Sequence, residues 1–236
     1  MDTSEYPYIE KYMTEVVHAY ARNLRQTYIV FDYYRKGIMC MSPDSLFLNG
    51  ANFEDIREDW LEYFQQFIPE DEHRGLTNAH DAAFHFFTEM ADAPSTDYTL
   101  TIKYHFRIGN HILLVSHKDT ALKLAPCGRP WLVACALTAA SPNDPGYIEI
   151  KKIGTNRVWR YDKDGNSWTE TETKPLKGFE KNILIYSSQG LSLESIAERL
   201  GKSPNTIRTQ KRNLFMKMGV KTSNEAISYA KDYNLI

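Results

Sequence analysis

The sequence predicts an α+β protein in two parts, an antiparallel sheet with associated helices followed by a smaller all-α part. Apolar and polar residues alternate strictly from Tyr98 to Arg107, which is the period of a strand with one buried face. Apolar residues from Tyr8 to Asn23 and from Phe179 to Gln189 recur instead at helical spacing. Charge is also divided unevenly, because residues 176–236 carry ten Lys or Arg against five Asp or Glu in a chain of net charge -2. This asymmetry indicates two domains with different roles.

Composition favours a globular protein of the cytoplasm. With 236 residues, 42% of them apolar and 13% aromatic, the chain has enough apolar side chains to form hydrophobic cores. It has no run of about 18 apolar residues, and its first residues lack the basic start and apolar stretch of a secretion signal. We therefore expect a cytoplasmic location and no membrane partner. Cys40, Cys127 and Cys135 are odd in number and form no CxxC pair, so reduced, mostly buried thiols are expected.

The first part is predicted to begin with a helix and to end with a sheet. After the helix at Tyr8–Asn23, two short strands flank Gly37, and Phe53–Phe67 is predicted to be helical. Pro69 ends that helix, and the acidic residues after it favour the start of another, predicted at Asn78–Met90. The strands predicted beyond Pro94 are Tyr98–Arg107, His111–Val115, Trp131–Leu137, Tyr147–Ile153, Val158–Tyr161 and Ser167–Thr169.

Three distinctive sequence features accompany this order of elements. They are Phe31-Asp32 with Gly37 and Ile38, the aromatic segment Trp60–Phe67 leading into Ile68-Pro69-Glu70-Asp71-Glu72, and the final three strands. Over Tyr28–Ala139 the pattern resembles a PAS domain. The resemblance implies a sensor or interaction domain at residues 1–170, with an extra hairpin at 147–168 whose role it does not explain. It implies a small-molecule ligand without identifying it, and no cofactor is predicted.

A polar segment ending in Pro175 separates the parts, so a linker is predicted at residues 171–177 and a second domain at 178–236. Four helices are predicted there. Ser192 can cap the second helix and Ser203 the third, and Pro204 suits the first helical position because no N–H is needed there. Ile207, Leu214 and Met218 form one apolar stripe on the third helix. The first, third and fourth helices are predicted at Phe179–Gln189, Ser203–Met218 and Ser223–Asp232.

The third of these helices carries an unusually basic face. From Arg199 to Asn224 there are seven Lys or Arg and no Asp or Glu, which favours a polyanionic partner. The short Gly201-Lys202 connection in front of it gives a tight helix-turn-helix, the arrangement that places a helix in the major groove of DNA.

Many residues of this part match a known family in order and spacing: Leu176, Glu180, Ile183-Leu184, Gly190, Ser192, Ile196-Ala197, Leu200, Ser203, Thr206-Ile207-Arg208, Leu214, Lys217-Met218-Gly219-Val220 and Glu225-Ala226. They resemble the LuxR-type (GerE-like) DNA-binding domain over Leu176–Ala230. Three residues depart from its usual pattern, namely Phe179, Leu193 and Gln210. The resemblance implies a tetrahelical helix-turn-helix regulator of transcription that binds double-stranded DNA. It also implies a homodimer through the fourth helix, and RNA polymerase is a further candidate partner.

Carried over residue by residue, the resemblance assigns two kinds of contact. Arg208, Thr209 and Arg212 are similar to the positions that read bases, and arginine pairs bidentately with guanine. The candidate contacts to the DNA backbone are Ser203, Asn205, Thr206, Gln210, Lys211 and Lys217. Such contacts set affinity and salt dependence more than sequence preference.

Other functional classes find less support in the sequence. No Gly-rich phosphate loop or GxSxG elbow is present, so no enzyme is expected. No metal site is predicted, because His80 and His85 lie five apart on one helix without a third ligand. A phosphorylated receiver domain would be a parallel α/β domain with an acidic cluster at the end of an early strand. Asp32 is the single acidic residue of its predicted strand, and the predicted strands are antiparallel, so a receiver domain is disfavoured. The main alternative is that the PAS-like domain serves only dimerisation or protein interaction, without a ligand. The signal, the operator sequence and the sign of regulation stay open.

Overall fold

The computed structural model describes residues 6–24, 26–43, 45–140, 147–173, 175–233 and 235–236. The chain divides into two compact units, Met1–Glu172, the first unit, and Thr173–Ile236, the second unit. Each has its own hydrophobic core, and the architecture is α+β as predicted. Among the described residues, no helix combines the length and the apolar character needed to cross a membrane.

In the first unit, the described strands form one eight-stranded sheet, in which every neighbouring pair is antiparallel. The strand order across the sheet is β2-β1-β5-β4-β3-β6-β7-β8. The elements are α1 (Tyr6–Leu24), β1 (Thr27–Asp32), β2 (Gly37–Met41), α2 (Phe53–Ile56), α3 (Trp60–Gln65), α4 (Glu70–Glu89), β3 (Tyr98–Ile108), β4 (His111–Leu124), β5 (Pro130–Ala139), β6 (Ile148–Lys152), β7 (Arg157–Asp162) and β8 (Ser167–Glu172).

Helices pack on both faces of this sheet. On one face, α4 contributes the buried residues Ala79, Ala83 and Phe86 to the main core. The two alanines have small side chains, so this side of the helix can pack closely against the sheet. The alternating apolar residues of β3, which are predicted to face inward, form the sheet side of this core. On the other face α1 places Tyr6 and Val17 in a second apolar cluster with residues of β1, β2 and β5. The helix predicted at Tyr8–Asn23 is thereby confirmed.

Two helix predictions in this unit are wrong in extent. The segment expected as one helix at Phe53–Phe67 is broken into α2 and α3. The break lies at Arg57, whose carbonyl accepts the backbone N–H of Ile38 at 3.1 Å and whose guanidinium lies 2.6 Å from Glu10. These tertiary partners replace continued helical bonding. Helix α4 begins at Glu70 rather than Asn78.

The predicted strands are present, but β4 is longer than expected. It continues past Val115 to Leu124 because β3 pairs along one side and β5 along the other. The hairpin predicted at 147–168 consists of β6, β7 and β8, which extend the sheet beyond β3. Strand β8 runs to Glu172 and overlaps the linker predicted at 171–177, of which Lys174 lies outside the described residues.

The second unit contains the four predicted helices. They are α5 (Gly178–Ser188), α6 (Leu193–Arg199), α7 (Pro204–Met218) and α8 (Ser223–Asp232). Their core includes Ile183, Leu184, Ile196, Ile207 and Leu214, none of which is more than 1% exposed. The apolar stripe read from the sequence of α7 therefore faces inward, which fixes the direction of its opposite face.

Candidate nucleic-acid interface

Helix α7 begins and ends where its sequence predicts. The Ser203 hydroxyl accepts the backbone N–H of Thr206 at 3.1 Å, and Pro204 occupies the first turn, where its missing N–H leaves no bond unmade. At the other end Gly219 adopts φ +68°, a left-handed conformation that glycine enters without the steric penalty of a Cβ. Both ends of the helix are thus defined by local chemistry.

Helix α6 packs against α7 within the core of the second unit. Ile196 and Ile207 are fully buried, and Ala197 is 1% exposed. After α6, Gly201 takes φ +60° and the Lys202 N–H donates to the Ala197 carbonyl at 2.9 Å, so the chain turns within a few residues. This is a helix-turn-helix, in which the first helix positions the second.

The face of α7 opposite the core is exposed and basic. Arg208, Thr209 and Arg212 all lie on it, as predicted from the helical period. Asn205 and Thr206 are also exposed. The same face includes Asn213 and Met216, which are not among the predicted DNA contacts, and Met216 is 67% exposed. The spacing could have identified Met216, since it follows Arg212 by four residues and so shares its side of the helix.

One hydrogen bond orients a side chain on this face. The Arg208 guanidinium donates through Nη1 to Asn205 Oδ1 at 2.8 Å. Because a guanidinium carries five N–H donors, most of them stay available to another acceptor. Asn205 therefore steers Arg208 along the helix surface without saturating it.

The side chains predicted to contact the DNA backbone differ in their surroundings. The Ser203 and Thr206 hydroxyls lie 2.9 Å apart within the helix cap. Gln210 and Lys211 are half-buried, and burial lowers the pKa of Lys211, whose Nζ lies 5.9 Å from the centre of the Phe215 ring. These groups flank the exposed face rather than forming its centre.

Lys217 is engaged within the unit. Its Nζ donates to Glu180 Oε2 at 2.7 Å and to the Pro175 carbonyl at 2.9 Å, and the Lys177 backbone N–H donates to the same Glu180 oxygen at 2.7 Å. The side chains of Lys217 and Glu180 are 19% and 16% exposed. A contact from Lys217 to phosphate would require the loss of this ion pair, which joins α7 to α5.

The neighbouring charges also act on Glu180. Burial by itself opposes ionisation of this carboxyl, but Lys217 and the Lys177 N–H together lower its pKa below the ordinary value. The carboxylate is consequently ionised at neutral pH and partners the cation of Lys217.

Comparisons with known proteins agree with this geometry. The family model of the bacterial regulatory proteins, luxR family, matches residues 179–230. The Fimbriae Z protein of Salmonella typhimurium is 40% identical over 62 residues, or 26% of this chain and 30% of that protein. The transcriptional activator protein BglJ of Escherichia coli is 37% identical over 59 residues, or 25% of this chain and 26% of that protein. The matches thus span less than a third of either relative.

Among solved structures, the phage VqmA–DPO complex aligns with 96% of this chain and 89% of its own, at 13% identity and a TM-score of 0.32. This overall similarity is too low to support a functional argument. The family match, at residues 179–230, instead covers most of the four helices, including the N-caps of α6 and α7 and the buried stripe of α7. The second unit is therefore a helix-turn-helix domain of the luxR family of bacterial regulatory proteins.

Proposed function

We propose that the chain is a cytoplasmic, DNA-binding transcriptional regulator in which α7 lies in the major groove of double-stranded DNA. The observation that carries the proposal is the exposed face of α7, where Arg208, Thr209 and Arg212 stand together within a segment, residues 199–224, that contains no acidic residue. A basic face on a helix held by a helix-turn-helix fits the groove in shape and charge. The luxR-family match supports the same function.

Within this proposal, Arg208, Thr209 and Arg212 read bases. The backbone contacts come from Ser203, Asn205, Thr206, Gln210 and Lys211, with Lys217 contributing only if its pair with Glu180 opens. The exposed Met216 adds an apolar surface to the same face, which suits contact with a thymine methyl group.

The proposal is tested by electrophoretic mobility shift and fluorescence anisotropy on genomic fragments, with salt concentration varied. Binding should weaken steeply with salt because counterions are released from the phosphates. Arg212→Ala and Arg208→Ala should each weaken binding to the preferred site by about 1 to 3 kcal/mol, while affinity for unrelated DNA changes much less.

Lys181→Ala is the matched control, since this exposed lysine of α5 carries the same charge but lies outside α7. It should keep the full preference for the specific site. If the Arg208→Ala, Arg212→Ala double variant bound the specific site as selectively as the unaltered protein, the assigned roles would be incorrect.

For the first unit we propose a PAS-like domain that controls DNA binding through a small-molecule ligand or a protein partner. Its support is the element order, in which two strands are followed by helices and then by further antiparallel strands of the same sheet. We also propose a homodimer, joined in part through α8, that reads two half-sites about one helical turn of DNA apart.

The alternative is that the first unit is purely a dimerisation or protein-interaction module without a small-molecule ligand. The outer side of α1 favours it, because Tyr8, Tyr12 and Tyr20 are 75%, 57% and 56% exposed on one helix. Tyrosine is enriched at interfaces between subunits. Ligand-dependent DNA binding distinguishes the two proposals.

A further inference from the structure

A cluster of potential metal ligands is buried in the first unit. The His117 Nε2 and Asp119 Oδ1 atoms lie 2.8 Å apart, and their side chains are 11% and 8% exposed. Cys135 is fully buried beside them. One ligand atom from each of these three residues lies within 4.8 Å of the other two. An imidazole nitrogen, a carboxylate oxygen and a sulfur thus converge inside the protein.

The sheet itself brings the three side chains together. His117 and Asp119 are two residues apart on β4 and therefore project from the same face. Asp119 is the direct antiparallel partner of Cys135 on β5, so the thiol lies across from the carboxylate. Because β4 is paired on both sides, backbone hydrogen bonds hold this arrangement in place. Rigid strands are suitable supports for a preorganised site.

Two further side chains surround the cluster. The Tyr104 hydroxyl lies 3.2 Å from His117 Nδ1, leaving Nε2 as the nitrogen that faces Asp119. The His80 ring on α4 has its centre 6.0 Å from that of His117. A metal-bound histidine ordinarily uses its second nitrogen in a hydrogen bond, as Tyr104 permits here.

We propose that His117 Nε2, Asp119 and Cys135 bind one divalent transition-metal ion of the zinc type, with His80 as the candidate for the fourth position. Nitrogen, oxygen and sulfur ligands in a four-coordinate site are the set that Zn²⁺ accepts. The charges also balance, since one carboxylate and one thiolate offset the two positive charges of the ion in a buried place.

Binding of the ion redistributes protons in a defined way. The Cys135 thiol loses its proton to solvent and becomes the sulfur ligand. His117 binds the ion through Nε2 as a neutral imidazole, with its proton on Nδ1, from which it donates to the Tyr104 oxygen. No oxidation or reduction is involved.

The competing explanation is a metal-free hydrogen-bond network. Asp119 interacts with both His117 and the Cys135 thiol, and such bonds can satisfy a buried carboxylate. The two explanations differ in a measurable way, because only a metal site forms a bond between the ion and sulfur. The proposal of a metal site is also independent of the proposal that the second unit binds DNA, so the failure of one leaves the other intact.

The test is Co²⁺ titration of the purified full-length chain after treatment with a chelator. We expect one Co²⁺ per chain, a sulfur-to-cobalt charge-transfer band in the near ultraviolet and the visible bands of tetrahedral cobalt. Added Zn²⁺ should displace the Co²⁺ and abolish these bands. Cys135→Ser should abolish the charge-transfer band, and Tyr104→Phe should weaken binding by about ten- to a hundredfold through the lost outer hydrogen bond.

The other two cysteines are matched controls. Cys40 is buried in the cluster that α1 covers, and Cys127 is exposed, so Cys40→Ser and Cys127→Ser should keep the band. Circular dichroism shows whether each variant is folded, and His117→Gln offers a second ligand variant if Cys135→Ser is not. Absence of the band in the unaltered chain, or its loss with Cys127→Ser rather than Cys135→Ser, would overturn the proposal.

Discussion

Glu180 and Lys217 illustrate how single residues hold the α7 helix in place. The carboxylate bridges the Lys177 N–H at the start of α5 and the ammonium near the end of α7. Because the pKa of Glu180 is lowered in the folded protein, the bridge stabilises the fold above the unfolded pKa of about 4.3. That contribution is lost as the pH falls through the lower, folded pKa.

Glu180→Gln tests this bridge. At neutral pH we expect the free energy of unfolding of the second unit to fall by about 1 to 3 kcal/mol, since the half-buried Lys217 loses its charged partner. The variant should also lose less stability than the unaltered unit on acidification below pH of about 5. Urea titrations of residues 173–236, followed by circular dichroism over a range of pH, measure both effects.

Glu194→Gln provides the control, because Glu194 is exposed on α6. It should alter neither the stability nor its pH dependence appreciably. Equal acid sensitivity of the Glu180→Gln variant and the unaltered unit would contradict the role assigned to the bridge.

At the scale of elements, the strands β6 to β8 belong to the core rather than to an appendage. Trp159 on β7 is 4% exposed, and its ring centre lies 5.2 Å from that of Phe86 on α4. Trp168 on β8 lies 5.3 Å from the same ring and donates from its indole N–H to the Ala82 carbonyl at 3.2 Å. The extra hairpin therefore closes one end of the space between α4 and the sheet.

Trp159→Ala is expected to destabilise the first unit by about 3 to 5 kcal/mol, because it leaves a cavity against Phe86. Trp168→Ala should cost less, since Trp168 is only partly buried and solvent can fill its place. Urea unfolding of the full-length variants, followed by circular dichroism, gives the comparison. If both substitutions changed the stability by less than about 1 kcal/mol, the hairpin would be peripheral after all.

The elements also show where sequence periodicity succeeds. Helix α7 was predictable because its caps and its apolar stripe are local features of Ser203–Met218. The break between α2 and α3 was not, because the Arg57 carbonyl bonds to Ile38 of another element. Strand β4 likewise extends as far as its two partners support it.

At the scale of the whole molecule, the two units differ in charge. The second unit, residues 173–236, carries a net charge of +6 and the first unit, residues 1–172, carries -8, which together give -2. A basic unit suits a polyanion, whereas an acidic one is repelled by it. This division of charge supports the proposal that the second unit contacts DNA and that the first unit controls this contact.

Deletion of residues 1–172 tests that division. The remaining unit should keep the sequence preference set by α7 but lose every change of DNA affinity that a ligand or partner produces in the full chain. Anisotropy titrations with and without a panel of cellular metabolites measure this, and sedimentation velocity reports whether the truncated chain still forms dimers. Identical DNA binding by the full chain and the truncated one under all conditions would refute control by the first unit.

The sequence by itself determined the α+β class, the four helices of the second unit and the outward placement of Arg208, Thr209 and Arg212. These follow from periodicity, capping and charge, all of which act over a few neighbouring residues. Only the tertiary structure decided that Lys217 pairs with Glu180 and that His117, Asp119 and Cys135 meet. Those contacts join residues of different elements, and strand register and helix packing bring them together.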